Sequence, residues 1–184
     1  MIDAQNYVAD ERLKDRTPVT IRAIRGDDKH RILAAFKDLD RESIYTRFFA
    51  YKKALTDTEL ADITEVDFDH VVALVVTTGA GEEEKLIGGG RFYSDINLHG
   101  SRCAELAFLT ADDYRGRGVA GLVLRHLIRI APHKGVSRFE ADVLAQNKAM
   151  LRVFRQAGLS MDVLPEGSVL HVTLVLKASL PPST

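Results

Sequence analysis

Disulfides, long apolar runs and an excess of either charge are all missing from this chain. Its 184 residues include one cysteine, Cys103, so no intramolecular disulfide can form, a secreted disulfide scaffold is excluded, and a reducing compartment is expected. The longest unbroken apolar run is Val71 to Val76, far short of the roughly 20 residues that cross a bilayer as a helix, and no membrane partner is expected. The start, Met1-Ile2-Asp3-Ala4-Gln5-Asn6, has neither a basic segment nor an apolar stretch, which predicts no signal peptide and a cytoplasmic location. Lys and Arg total 25 against 26 Asp and Glu, a formal net charge of -1. Nucleic-acid binders normally carry a basic excess to neutralise phosphates, so no nucleic-acid partner is expected. The six histidines show no metal-ligand spacing and have no cysteine partner, so no metal is expected either.

What is present suits one ordinary globular domain. Apolar residues make up 46% of the chain, and at this length a single core buries about 70% of the surface that the unfolded chain exposes. The expected domain spans 18–178, between a polar arm at 1–17 and a tail at 179–184. Residues 1–16 carry no clear period and Pro181-Pro182-Ser183-Thr184 cannot continue an element, so both ends are expected to fray.

Period and punctuation place the elements between them. Val19–Arg25 alternates as a strand, and Asp27–Leu39 has Ile32, Leu33, Phe36 and Leu39 at helical spacing. A second helix follows over Arg41–Phe49. Thr56-x-x-Glu59 reads as a capping box that opens a third, to about Thr64. The β-branched run His70–Thr78, a Gly-rich turn and Lys85–Ser94 form a hairpin; within it Gly88-Gly89-Gly90 leaves room for another backbone or a ligand to approach. A loop at 97–100 leads to a strand at Arg102–Thr110, then a helix at Val119–Ala131, a strand at Arg138–Leu144, a helix at Asn147–Gln156 and a final hairpin of Leu159–Val163 with Val169–Leu176. The order βααα-βββ-αβα-ββ predicts a mixed α/β sheet of about seven strands with helices on both faces and a parallel crossover at its centre.

The segment richest in chemistry is Glu105 to Gly121, a strand, a five-residue turn and the glycine-rich start of a helix. Gly116 and Gly118 allow the backbone to bend so that successive N–H groups converge at the positive end of the helix dipole, a phosphate-binding arrangement. Arg115 and Arg117 add charge-assisted donors. Residues 115–134 hold five Lys or Arg and no acid. Gly116-x-Gly118-x-x-Gly121 also fits the dinucleotide fingerprint literally, with Glu140 or Asp142 about 20 residues on. Its context does not fit: Ala111–Arg115 separate strand from glycine, and about a hundred residues precede it. A kinase glycine-rich loop would need a downstream catalytic Lys and metal-binding Asp set, and neither is visible.

Read as R-x-x-G-x-A, residues 115–120 resemble the pyrophosphate-binding motif of the GNAT superfamily of acetyl-CoA-dependent N-acyltransferases. The likeness extends over about 18–177 through the element order and through Asn147-x-x-Met150-Leu151 to Gly158-Leu159. Within the superfamily, Asp40-Arg-Glu-Ser-Ile-Tyr-Thr-Arg-Phe-Phe49, Leu55-Thr-Asp-Thr-Glu-Leu60 and Asp67-Phe-Asp-His70 resemble the GNAT domain of bacterial protein lysine acetyltransferases.

That resemblance implies a mechanism. The family's fourth strand splays from the fifth to admit the pantetheine arm, and Phe108, Leu109 and Thr110 stand where backbone contacts to it are made. One of their N–H groups would polarise the thioester carbonyl and hold the oxyanion. Arg115, Gly116, Arg117, Gly118, Val119, Ala120 and Gly121 would wrap the pyrophosphate of acetyl-CoA, and Asn147 would cap the last helix with cofactor contact as a second role. Glu105 stands at the general-base position, where a carboxylate raised in pKa by an apolar site would take the ammonium proton. Its strand reads as apolar on both faces, so a lone carboxylate there calls for a role or a partner; the alternative is an ordinary strand glutamate. Many members carry a tyrosine in the last helix that protonates the thiolate. Here that position is Phe154, leaving Tyr93, Tyr45 or water for the task, or an unassisted departure.

Cys103 reads as an inert small residue rather than a nucleophile, and Tyr45, Phe48 and Phe49 as core rather than substrate wall. The implied reaction is transfer of an acetyl or short acyl group to a primary amine, a protein lysine or, alternatively, a small amine or polyamine. From another class comes the alternative of a non-catalytic CoA-binding regulatory module. Exposed edge strands near the C-terminus allow a homodimer. The stretch 56–69 carries six acids and no Lys or Arg, and as a rim to the acceptor cleft it would attract a cationic amine.

Overall fold

The computed structural model describes residues 2–48, 52–96 and 102–176. Eight strands form one sheet: β1 (Val8–Arg12), β2 (Pro18–Ala23), β3 (Val71–Thr78), β4 (Lys85–Ile96), β5 (Arg102–Thr110), β6 (Val136–Leu144), β7 (Ser160–Glu166) and β8 (Val169–Val175). Five α-helices accompany them: α1 (Lys29–Lys37), α2 (Arg41–Phe48), α3 (Asp57–Thr64), α4 (Val119–Ile130) and α5 (Lys148–Gln156). The strand order is β1-β2-β3-β4-β5-β6-β8-β7, with β5 and β6 parallel and every other neighbouring pair antiparallel. The α/β class, the helices and the parallel crossover β5-α4-β6 agree with the sequence reading.

The capping box closes as expected. Thr56 Oγ1 accepts the Glu59 N–H at 3.2 Å and Glu59 Oε2 accepts the Thr56 N–H at 2.9 Å, which satisfies two of the donors that a helix start leaves unpaired. The hydrophobic stripe of α4 lies against the sheet through Val119, Val123, Leu127 and Ile130, all buried, with the α1–α3 layer on the other face. The contacts at the glycines explain how α4 gets so near: a Cβ on Gly88 would lie 2.7 Å from Val119, and one on Gly90 would lie 2.6 Å from Phe108 and 2.9 Å from Val123. The space that Gly88 and Gly90 leave toward α4 is therefore filled by this packing, while the Gly88–Gly90 segment also borders an apolar cavity with Leu74, Ala107 and Leu109.

Three expectations change. The sheet has eight strands rather than about seven, because residues 8–12 do not fray but pair with β2. Their alternation is inverted, with Val8 63% exposed and Glu11 turned toward α4, where it accepts from His126 at 3.0 Å. Tyr7 O–H donates to the other ring nitrogen of His126 at 2.6 Å, so a buried imidazole fastens the N-terminal hairpin to α4. Second, the helix expected from Asp27 starts at Lys29 after a 3-10 turn. Asp28 is fully buried and accepts from Arg22 through both oxygens at 2.7 and 2.8 Å and from the Arg25 N–H at 2.9 Å, a network joined by Arg31 and Glu84. Such a buried charge is tolerated because every lone pair is met. Third, the strand placed at 138 starts at Val136. The 97–100 loop, Phe49 and the 179–184 tail lie outside the described residues.

Candidate functional site

β5 is hydrogen-bonded to β4 along its whole length, from Arg102 opposite Ile96 to Thr110 opposite Gly88. Its ladder to β6 is much shorter. Four pairs form, ending at Glu105 opposite Glu140, with a register shift after Arg102. Beyond that pair both strands continue, β5 to Thr110 and β6 to Leu144, but they part. Alternate residues of a strand turn their N–H and C=O to opposite sides, so the stretch Leu106–Thr110 presents backbone groups to a wedge that β6 does not fill. Phe108, Leu109 and Thr110 lie on β5 beyond its last pair with β6.

Phe108 forms the floor of the wedge on the α4 side, with its ring 6.2 Å from that of Phe154 in an edge-to-face arrangement. Phe154 itself is 1% exposed, an apolar packing residue at the place where a phenol would have been needed. Asn147 caps α5, its Oδ1 accepting the Met150 N–H at 3.1 Å.

Glu105 sits where the ladder ends. Glu105 is exposed, so the apolar setting expected around it is not found: Cys103, Glu105, Ala107 and Leu109 share one face of β5, and near Glu105 that face is open. Tyr93, 54% exposed, is its register partner on β4. Arg47 of α2 and Arg91 of β4 share this neighbourhood. Burial holds the Arg47 guanidinium down at about 10, Arg91 pushes the same way, and the Glu105 charge opposes both. These two arginines were not singled out from the sequence, because nothing in their local pattern marks them. An apolar cavity of about 100 Å³ adjoins them, lined by Phe36, Leu55, Ile63 and Leu109 among others. Wider open depressions of about 710 Å³ lie beside β1–β3 and beside α1; neither touches β5.

At the far end of the wedge, Gly116 and Gly118 adopt φ of +73° and +96°, left-handed values that glycine takes without strain. Gly118 is the N-cap of α4, and no carboxylate occupies the first turn of that helix, so the N-terminal end of its dipole is open to an anion. The two arginines of the turn are already engaged. Arg115 faces Asp112 at 2.8 Å and Asp40 at 3.2 Å; Arg117 faces Asp15 at 3.3 Å and lies 4.9 Å over the Tyr114 ring. Asp112 also accepts from the Asp40 N–H and the Ser43 hydroxyl, which ties the start of α2 to this turn.

The acidic stretch 56–69 is largely spent on local structure. Lys52 pairs with Glu59 and, with the Thr56 N–H, brings its carboxyl down to about 2. Glu65 pairs with Lys29. Asp67 accepts the N–H groups of Asp69, His70 and Val71, and Asp69 lies 3.7 Å from Arg102.

The acetyltransferase (GNAT) family model matches residues 33–159, which include the split ladder and the glycine turn. The chain belongs to the GNAT acetyltransferase family. It is 33% identical over 139 residues to acetyltransferase Pat of Mycolicibacterium smegmatis, covering 75% of this chain and 40% of that protein. The GNAT domain of S. lividans PAT superimposes with a TM-score of 0.82 at 32% identity, covering 92% of this chain and 97% of that one. YncA of Salmonella typhimurium, solved with its cofactor acetyl-CoA, shares the fold with a TM-score of 0.69 at 18% identity over 90% of this chain and 98% of that one. The chain spans less than half the length of Pat.

Proposed function

We propose that this GNAT acetyltransferase moves an acetyl or short acyl group from its CoA thioester directly to a protein lysine side chain, with Glu105 as general base. The observation that carries the reading is the end of the β5–β6 ladder at Glu105: a carboxylate stands at the apex of the wedge, and backbone donors follow on the same strand. The residues present fit acetyl-CoA. The wedge accepts an extended arm, and the Gly116–Gly118 turn offers N–H groups and a helix N-terminus, free of acids in its first turn, to a pyrophosphate.

Acetyl-CoA supplies the activated acyl group. Arg115, Gly116, Arg117, Gly118, Val119, Ala120 and Gly121 would hold its phosphates, and Phe108, Leu109 and Thr110 would pair with its arm, an N–H of that stretch being placed to stabilise negative charge on the thioester oxygen. Glu105, directly or through a water, accepts the proton of the incoming ammonium so that the nitrogen lone pair is free to attack. Phe154 offers no proton to the departing thiolate; Tyr93, beside Glu105 in register, is the nearest phenol on the strands of the wedge. The exposed position of Glu105 supports an acceptor presented from a protein surface, since a lysine reaches it without entering a closed chamber. The likeness of residues 40–49, 55–60 and 67–70 to protein lysine acetyltransferases and the identity to Pat support the same acceptor class.

Glu105→Gln is expected to lower turnover about 10²- to 10⁴-fold while calorimetric CoA affinity is retained. Undiminished turnover in that variant removes Glu105 from the mechanism. Mass spectrometry of proteins incubated with enzyme and acetyl-CoA should show acetylated lysines. Thiol release with polyamines alone would move the acceptor to small amines, and CoA binding without thiol release for any acceptor would make the chain a regulatory module.

A further inference from the structure

The N-terminal hairpin does more than extend the sheet. Its turn, residues 13–17, closes over the start of α4: the Lys14 N–H donates to the Arg117 carbonyl at 3.0 Å, and Asp15 pairs with Arg117 at 3.3 Å. The aliphatic part of Lys14 runs directly along Gly118, so that a Cβ there would meet Lys14 Cγ at 3.1 Å and Cε at 3.3 Å. The ammonium is thereby carried to the N-terminal end of α4. Arg115 and Arg117 both face carboxylates, whereas Lys14 Nζ has no hydrogen bond or ion pair among the described residues. A cation left unmatched beside a helix N-terminus is an arrangement that an anion completes.

We propose that Lys14 is a phosphate ligand of the cofactor site, supplied by the N-terminal hairpin and directed at the pyrophosphate held by the Gly116–Gly118 turn. The inference rests on the reading of that turn as the pyrophosphate site. Lys14 acts as a point charge and not as a structural strut, since its link to the loop is made by its backbone N–H, which any residue but proline retains. Arg115 and Arg117 are shared with the carboxylates of Asp40, Asp112 and Asp15, so Lys14 is the cation of this cluster that no carboxylate of the described residues holds.

Isothermal titration of the full chain with CoA and with dephospho-CoA tests this. Lys14→Ala is expected to weaken both ligands by about 5- to 30-fold, as for loss of one partly exposed charge-assisted contact, and Lys14→Arg to restore affinity to within about threefold. The deficit should shrink on going from about 50 to about 500 mM salt, because screening weakens the wild-type contact, and the thermal midpoint without ligand should not move. Equal affinities for wild type and Lys14→Ala overturn the role of Lys14 while leaving the pyrophosphate reading intact. A deficit confined to CoA assigns the contact to the 3′-phosphate and overturns the pyrophosphate assignment. A deficit that follows a lowered midpoint and is not repaired by arginine overturns the charge argument. Failure of the wild type to bind either ligand sinks the underlying reading of the turn instead.

Discussion

The two ends of the wedge are built in different ways. At its closed end, Glu105 owes its position to one strand and its immediate neighbours, β4 on one side and four residue pairs with β6 on the other. At its open end, the Gly116–Gly118 turn is held by parts far apart in the chain: Lys14 and Asp15 from the hairpin, Asp40 from the start of α2, and Asp112 from the approach to the turn. A site at the closed end is a property of a strand, and one at the open end is a property of an assembly. Damage should accordingly stay local in the first case and depend on distant residues in the second.

The largest disturbance is expected from the floor that both ends share. Phe154→Ala removes a fully buried ring that packs on Phe108, and it should destabilise the fold by about 3–5 kcal/mol, as for other buried aromatic truncations, read by urea denaturation. A loss below about 1 kcal/mol would show that Phe108 does not depend on this support. A smaller effect is expected at the open end. Gly118→Ala forces a side chain to φ of +96° and against Lys14, at a conformational cost of about 1–2 kcal/mol, and it should weaken CoA more than Gly116→Ala, where a Cβ meets nothing within 4 Å. Equal affinities for the two variants would show that the packing of Lys14 on Gly118 is irrelevant.

The smallest effect concerns the fastening of the hairpin. Burial holds His126 below its ordinary value of 6.5, outweighing the pull of Glu11 in the other direction. Below pH 6.5 the unfolded chain takes up a proton that the folded one resists, so this group's share of stability is full above that value and is lost as pH falls through 6.5 toward the folded value. Thermal midpoints taken from pH 8 to pH 5.5 should fall less steeply in His126→Asn than in the wild type. Parallel curves would mean that His126 does not titrate as this burial implies.

The same contrast governs what could be read from the sequence. The β5 strand, the glycine turn, α4 and the Thr56 capping box all announce themselves within a few residues, by alternation, by glycine spacing or by a cap, and the wedge followed from recognising their order. Glu105 stands out in the sequence as a carboxylate in an apolar strand, yet it is exposed, since strand composition says which residues are apolar and not which face is covered. β1 was missed because its inward residues are Ala9 and Glu11, and Glu11 makes sense as an inward residue only once His126, 115 positions away, is seen beside it. Lys14 and Arg91 carry no local signature, and Arg47, though inside the 40–49 segment, is not marked out within it. Their significance comes from tertiary neighbours, as does the pairing that reduces the acidic field of residues 56–69.

The brevity of the β5–β6 ladder also has a thermodynamic side. Five strands lie on one side of it and three on the other, so four residue pairs and the α4 crossover join two unequal blocks of sheet. Whatever fills the wedge touches both blocks and acts as a removable splice between them. Bound ligand stabilises a fold by RT ln(1 + [L]/Kd), about 2.7 kcal/mol at a hundred times Kd. In this molecule that gain should be concentrated at the seam, with amide hydrogen exchange slowed most in 106–110 and 141–144 and least in β2 and β3.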